Sequence, residues 1–292
     1  MQSEVLQATI HHVLDRLSNS EPVEIKEEWI QDAGEQFKDA LRKQTIPRDH
    51  SFRVRMSNIG RPLCQLQMDK SEADKSRMSY NFVVRMLMGD ASECIARFFL
   101  KAAGIEATSD GDKVKLDVDG QTVKGESDID IDNEVWDVKS CSTWAYDNKW
   151  SKGYQGLRDE DNFGYVGQLF GYADAQDKET GGWIVIDKSN GYVNVVPVTA
   201  DDADAKKVRE ERVNTVRAIR DDAPFERCFE AETEYFRKEP TGAKKLCNAC
   251  SFCDYKAACW PTLKKLTPHM SKAKSPAYHW YVEHPDIKPN GE

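Results

Sequence analysis

The chain has 292 residues, 39% of them hydrophobic, and a formal net charge of −9, enough for one elaborated domain or two modest ones with a core that needs no disulfides. This acidity argues against coating of nucleic acid through a broad basic surface, because that affinity comes from neutralising phosphates with Lys and Arg. It leaves open a local acidic centre loaded with divalent cations.

No eighteen consecutive residues are apolar, and "MQSEVLQATIHHVLDRL" reads as an amphipathic helix rather than a basic leader followed by an apolar run. A soluble, cytoplasmic protein without membrane contact is expected, its eight cysteines reduced, buried or metal-bound rather than paired.

In chain order, residues 1–50 form a helical N-terminal region with a linker near Pro47, and "FVVRMLMGDASECIARFFLKAAG" (82–104) forms a helix ended by Gly104. Strand-like runs follow at 113–118, 122–131 and 134–140, then a helix near 160–177, strands at 182–187 and 192–198, and a charged helix over about 201–221. Residues 223–267 hold a cysteine cluster that reads as a compact lobe, and 268–292, rich in Pro, Lys and His, as an extended tail. There is no internal repeat. The fold class is α/β.

The densest chemistry lies in "GESDIDIDNEVWDVKS" (125–140), which carries four aspartates and two glutamates and ends in a lysine and a serine. Asp132-Asn133 is a good two-residue turn, so residues whose numbers sum to 265 face each other and Asp128 lies opposite Asp137. Carboxylates directly across a ladder, about 4.5 to 5.5 Å apart at Cβ, repel unless a cation or proton sits between them. Asp137 and Lys139 project to one face while Trp136 and Val138 project to the other. The plain alternative is an exposed strand with a Lys139 to Glu126 cross-strand ion pair. On the preceding helix, Glu93 shares a stripe with Met86, Ala96 and Leu100; its carboxylate there either serves a metal shared with Asp128 and Asp137 or reaches past the apolar rim to water.

Gly89-x-x-x-Glu93, Gly125-x-x-Asp128, Asp137-x-Lys139 and Gln168-x-x-x-Tyr172 occur in that order. This series resembles the RecB-type branch of the PD-(D/E)xK nuclease superfamily over about residues 50–200, and through cysteines to 260. One departure is that many members of the branch have a histidine where Glu93 stands. The resemblance implies a restriction-endonuclease-like core over 51–222, ordered helix, three-stranded antiparallel meander, helix and further strands. It implies Mg²⁺ or Mn²⁺ held by Glu93, Asp128, Asp137 and the Val138 carbonyl, with Lys139 as the catalytic cation and Gln168 and Tyr172 near the substrate. All-oxygen ligation suits those ions better than zinc.

"CNACSFCDYKAAC" places Cys247, Cys250, Cys253 and Cys259 close together, and four thiolates so spaced read as a metal site, most simply a local zinc knuckle. Iron-sulfur relatives in the same branch, the CRISPR-adaptation nucleases and AddAB-type nuclease domains, combine one distant N-terminal cysteine with a C-terminal C-x2-C-x5-C. The resemblance therefore implies a 4Fe-4S cluster on Cys64, in "SNIGRPLCQL", with Cys250, Cys253 and Cys259, stapling a loop of nearly 200 residues. Cys94, Cys141 and Cys228 are expected in the core or at its margin. The six histidines show no ligand or triad spacing.

Between the hairpin and the Gln168 helix, Trp144, Tyr146, Trp150 and Tyr154 interleave with Lys149, Lys152 and Arg158, a pattern suited either to stacking on bases or to an ordered loop that buries its own aromatics. Ser140, Trp144, Lys149, Trp150 and Lys152 are expected substrate contacts, and Ser142 could also donate to a phosphate. The functional expectation is a metal-dependent DNA exonuclease acting in recombination, repair or phage-type DNA processing. With no G-x-x-x-x-G-K-[ST] phosphate loop it would act alone or with a separate helicase, recombinase or single-strand-binding protein. The alternatives are a CRISPR-adaptation-type nuclease and a non-catalytic DNA-binding or assembly module.

Overall fold

The computed structural model describes residues 2–47, 51–73, 80–108 and 113–286. The elements are α1 (Ser3–Ser18), α2 (Glu27–Thr45), α3 (Leu63–Lys70), α4 (Phe82–Ala102), β1 (Ala107–Thr108), β2 (Lys113–Val118), β3 (Gln121–Glu126), β4 (Ile129–Ile131) and β5 (Glu134–Cys141). They continue as α5 (Thr143–Asn148), a 3-10 turn (Trp150–Lys152), α6 (Gly153–Asp159), α7 (Tyr165–Gln176), β6 (Glu179–Asp187), β7 (Val193–Pro197) and α8 (Asp202–Arg220). The last are β8 (Ala231–Phe236), β9 (Glu239–Leu246), α9 (Asn248–Phe252), α10 (Lys256–Cys259), β10 (Lys264–Leu266) and β11 (His279–Glu283). The fold is mixed α/β, and among the described residues no helix is long and apolar enough to cross a membrane.

The chain divides into two compact units, Met1–Arg61 with Ser79–Arg217, and Pro62–Met78 with Ala218–Glu292. In the first, a five-stranded sheet runs β1-β4-β5-β6-β7. The β5–β6 pair is parallel and the other pairs are antiparallel, because the 143–176 segment makes the long crossover that a parallel pair needs. Alternation along the strands gives each face its helices. Ile129, Ile131, Trp136, Val138, Ile184, Ile186 and Val195 meet Leu6 and Ile10 of α1 and Ala96 and Leu100 of α4 in one buried cluster. Trp183 points the other way, with its ring 6.1 Å from that of Trp150 and 6.5 Å from that of Tyr154.

Several expectations need correction. The N-terminal helices are not a separate region, since α1 supplies two residues of that core. The run 122–131 is not one strand, and the meander is split between two sheets: β3 pairs with β2 in a two-stranded sheet, and β4 with β5 in the larger one. The break falls at Ser127 and Asp128, where an Asp128 carboxylate oxygen accepts the Val138 amide at 2.9 Å and Arg97 donates to the Asp128 carbonyl at 2.8 Å. Side-chain bonds there take the place of ladder bonds. The stretch after the hairpin is largely helical rather than loop. Asp130, one of the acids of the 125–140 stretch, is 2% exposed and is held by Lys178 at 2.6 Å rather than standing on the surface.

The second unit is built on a four-stranded sheet ordered β10-β11-β9-β8. The expected loose tail instead supplies β11, the partner of both β10 and β9. Tyr281 explains its place: the ring is buried and its hydroxyl donates to the buried Glu234, whose other oxygen accepts Thr241 at 3.0 Å. Residues 62–73 are bound into this unit through Lys70, 2.6 Å from Asp222, and through Asp69, which accepts the Tyr255 hydroxyl.

Candidate functional site

The hairpin turn has Asp132 and Asn133 both in the left-handed region, φ 50° and 65°, and the ladder pairs Ile129 with Trp136 and Ile131 with Glu134. This is the register that the two-residue turn predicts. It brings Asp128 beside the Asp137–Val138 peptide, where its carboxylate accepts the Val138 amide. Asp137 is 1% exposed, and its neighbour on the same face, Lys139, lies with Nζ 2.5 Å from Oδ2. The Lys139 ammonium also sits 5.2 Å from the Tyr165 ring centre and 3.5 Å from the Val138 carbonyl oxygen. Lys139 therefore pairs with Asp137. Glu126 lies across the smaller sheet, opposite Lys113.

The electrostatics tie further residues to this place. Burial pushes the Glu93 carboxyl up to about 8, the Asp128 charge adds to the effect, and Lys139 and Lys43 oppose it. Burial also pushes Asp137 up to about 7, with Lys139 opposing and Asp128 again adding. Burial works against the Lys139 charge, yet Asp137 and Asp128 hold its pKa above the usual lysine value. The Tyr172 hydroxyl is raised to about 12, first by burial; Gln168, 3.4 Å away, opposes, and Asp128 and Asp137 contribute to the rise. Glu93, Asp128, Asp137, Lys139 and Tyr172 thus share one field. The expected apolar stripe around Glu93 holds at Ala96 and Leu100, whereas Met86 is exposed.

Neither Asp137 carboxylate oxygen accepts a well-formed hydrogen bond although both are buried. An all-oxygen set in which the Asp128 charge raises both Glu93 and Asp137 suits a hard divalent cation. Among the described residues, however, no three His, Cys, Asp or Glu side chains are grouped closely enough to hold one metal ion. That holds for the carboxylates and for the cysteines alike.

Sequence reasoning missed three neighbours. Asp90, one helical turn before Glu93, is buried and bound by Lys43 at 3.3 Å and Gln44 at 2.6 Å; its i,i+3 spacing from Glu93 was the available signal. Lys43 arrives from α2 and carried none. Arg61 follows Gly60, whose backbone lies so close to Gly164 that a Cβ at position 60 would be 2.5 Å from the Gly164 oxygen. This contact sets Arg61 near Tyr165, whose hydroxyl, raised mainly by burial, feels the Lys139 and Arg61 charges as opposing influences.

The expected substrate contacts divide. Trp144 is 63% exposed and Lys152 is exposed, while Ser140 is half-buried in the ladder opposite Ile186. Trp150 is buried at 3% exposure, its ring stacked on Tyr165, so it cannot stack on bases. Lys149 donates to the Glu160 carbonyl at 2.8 Å and lies over the Phe163 and Tyr165 rings, so its ammonium is engaged in holding its own loop. Ser142 caps α5, accepting the Ala145 amide at 3.3 Å. Tyr154 and Arg158 both donate to Asp204.

In the second unit, the Cys64 amide donates to the Cys228 sulfur at 3.2 Å. Hydrogen bonding to Cys228 pushes the Cys64 thiol far up, with burial adding and the Cys253 charge felt as well, while the same contact draws Cys228 down to about 6. Cys228 is exposed, where the core or its margin was expected. Cys250 is raised to about 12 by burial and then by Cys247, Cys253 and Cys259. Cys141 is buried and Cys94 half-buried.

No family model matches the chain, and no curated protein matches it significantly. Among solved structures, the crystallised protein SSO0001 is similar at a TM-score of 0.42 and 14% identity, over 77% of this chain and 94% of its own.

Proposed function

We propose that this protein is a metal-dependent DNA nuclease, an exonuclease of the RecB-type PD-(D/E)xK branch with a restriction-endonuclease-like core. The observation that carries the reading is the Asp137-x-Lys139 pair, an ammonium 2.5 Å from a buried carboxylate, with Asp128 and Glu93 in the same field. A surface ion pair would not need two further acids beside it, and a stability role would be better served by apolar residues.

Glu93, Asp128, Asp137 and the Val138 carbonyl are the groups that would hold Mg²⁺ or Mn²⁺. When bound, such an ion supplies Lewis-acid charge and lowers the pKa of an attacking water. Lys139, kept cationic by the two aspartates, neutralises charge that gathers on the phosphoryl oxygens during in-line attack. Tyr172 and Gln168, linked at 3.4 Å, offer donors to a phosphate at the same place. Trp144 and Lys152, both exposed, are retained as strand contacts, and Ser140 as a phosphate donor. A 4Fe-4S cluster on Cys64, Cys250, Cys253 and Cys259 is proposed as the staple of the second unit, with zinc on Cys247, Cys250, Cys253 and Cys259 as the alternative.

The test is a time course with Mn²⁺ on circular, blunt linear, 5′-labelled and 3′-labelled DNA. Shortening of linear DNA from one end with circles left intact is expected. Nicking of circles at the same rate contradicts the exonuclease assignment, and no hydrolysis of any substrate contradicts the nuclease reading.

A further inference from the structure

The exposed face of the two-stranded sheet carries an arrangement that stability does not explain. Lys115 of β2 stands directly opposite Lys124 of β3, and like charges across a ladder repel. On the other side of β3, Arg55 bridges to Lys124 in parallel, with the Met56 amide donating to the Lys124 carbonyl at 2.9 Å. Alternation puts Val54, Met56 and Val123 inward and buried, leaving Arg55, Lys124 and Lys115 exposed in one row across three adjacent segments. Neighbouring segments in a sheet lie about 4.8 Å apart, so the row spans roughly 10 Å.

Within the same unit, Arg158, Lys178, Arg209, Arg212 and Arg217 each hold a carboxylate, while Lys113, Lys152, Lys188 and Lys207, like the row, hold none among the described residues. Arg55, Lys115 and Lys124 hold none among the described residues, in a chain with 50 acidic and 41 basic side chains. The acids on the same face, Asp117 and Glu126, stand one same-face position away along the strands, opposite Thr122 and Lys113.

The row approaches the site along β3 rather than across one face. Gly125, next to Lys124, faces inward, away from the row, where a Cβ would lie 2.5 Å from Met56 and 2.7 Å from the Tyr172 ring, while Glu126, on the row's own face, acts on Lys43, which also feels Glu93. Three residues after Gly125 is Asp128. We infer that Arg55, Lys124 and Lys115 form a phosphate track that holds the sugar-phosphate backbone of a nucleic-acid strand alongside the carboxylate site. The inference rests on the nuclease reading for its choice of polyanion. It assigns binding to residues outside the 141–165 segment, where Lys149 and Trp150 are already engaged.

The experiment measures the affinity of a fluorescent DNA duplex by anisotropy over a salt series, without divalent metal, with Mn²⁺-dependent hydrolysis measured in parallel. Each phosphate contact removed lowers the slope of log K against log salt by about 0.9. The R55Q/K115Q/K124Q variant should lose about 2 to 3 from that slope and bind about tenfold or more weaker at low salt, with K124R close to wild type. A charge-matched control, K38Q/K206Q/K244Q, removes cations that are paired with Glu35, Glu210 and Glu283 and should keep the wild-type slope. An unchanged slope in the row variant, an equal loss in the control, or no DNA affinity in the wild type overturns the track. If the wild type binds through the row but cuts nothing, the track stands and the nuclease reading falls; if it cuts DNA with the slope unmoved, the reverse holds.

Discussion

At the scale of single residues, a carboxyl buried beside another carboxyl releases its proton only at a higher pH, and Glu93 and Asp137 are both in that condition. Their folded pKa values, about 8 and about 7, lie above the unfolded values of about 4, so the folded chain binds protons that the unfolded chain has released. Their contribution to stability is complete below the unfolded values and is lost as pH rises through about 7 for Asp137 and about 8 for Glu93. Metal-free protein should therefore show a melting temperature that falls from pH 5 to pH 8.5 more steeply than that of E93Q/D137N. Equal slopes in a calorimetric pH series would contradict the burial of these charges. Saturating Mn²⁺ should remove much of the difference, because a bound cation favours the ionised forms.

At the scale of elements, the Asp128–Asp137 juxtaposition was legible from a turn of two residues, because the turn dictates register and register dictates which side chains meet. The break after Glu126 was not legible: it depends on Arg97 reaching the Asp128 carbonyl from α4, a contact between residues 31 apart with no periodic signature. Aromatics among lysines at 141–165 were ambiguous for a similar reason. Trp150 and Trp144 look alike in sequence, and the presence of Trp183 beneath one of them decides which is core. Gly125 links local sequence to packing, since its missing Cβ admits Met56 and the Tyr172 ring. G125A should cost about 1 to 3 kcal/mol in denaturant unfolding and should slow any hydrolysis, because Tyr172 must move. A variant with wild-type stability would show that the contact is looser than described.

At the scale of the whole molecule, the chain is partitioned in a way that composition does not reveal, with residues 62–78 leaving the first unit to join 218–292. The cysteine spacing and the segment around Cys64 were readable in sequence, but the neighbour of Cys64 was not: Cys228 lies 164 residues away. The cluster reading is tested by anaerobic purification. Wild type and C228S should be brown, and C64S should be colourless with a less stable second unit. Colour lost in C228S and kept in C64S would transfer the fourth ligand to Cys228, and stoichiometric zinc in a colourless wild type would replace the cluster altogether. The central claim, that the buried Asp137–Lys139 pair with Asp128 and Glu93 performs phosphodiester hydrolysis, is tested most directly by incubating end-labelled linear DNA with Mn²⁺ and wild type, D137N or K139A. Degradation by wild type with a loss of at least about a hundredfold in rate, or about 2.7 kcal/mol, in each folded variant is the predicted result. Equal products from all three proteins, or from none, would contradict it.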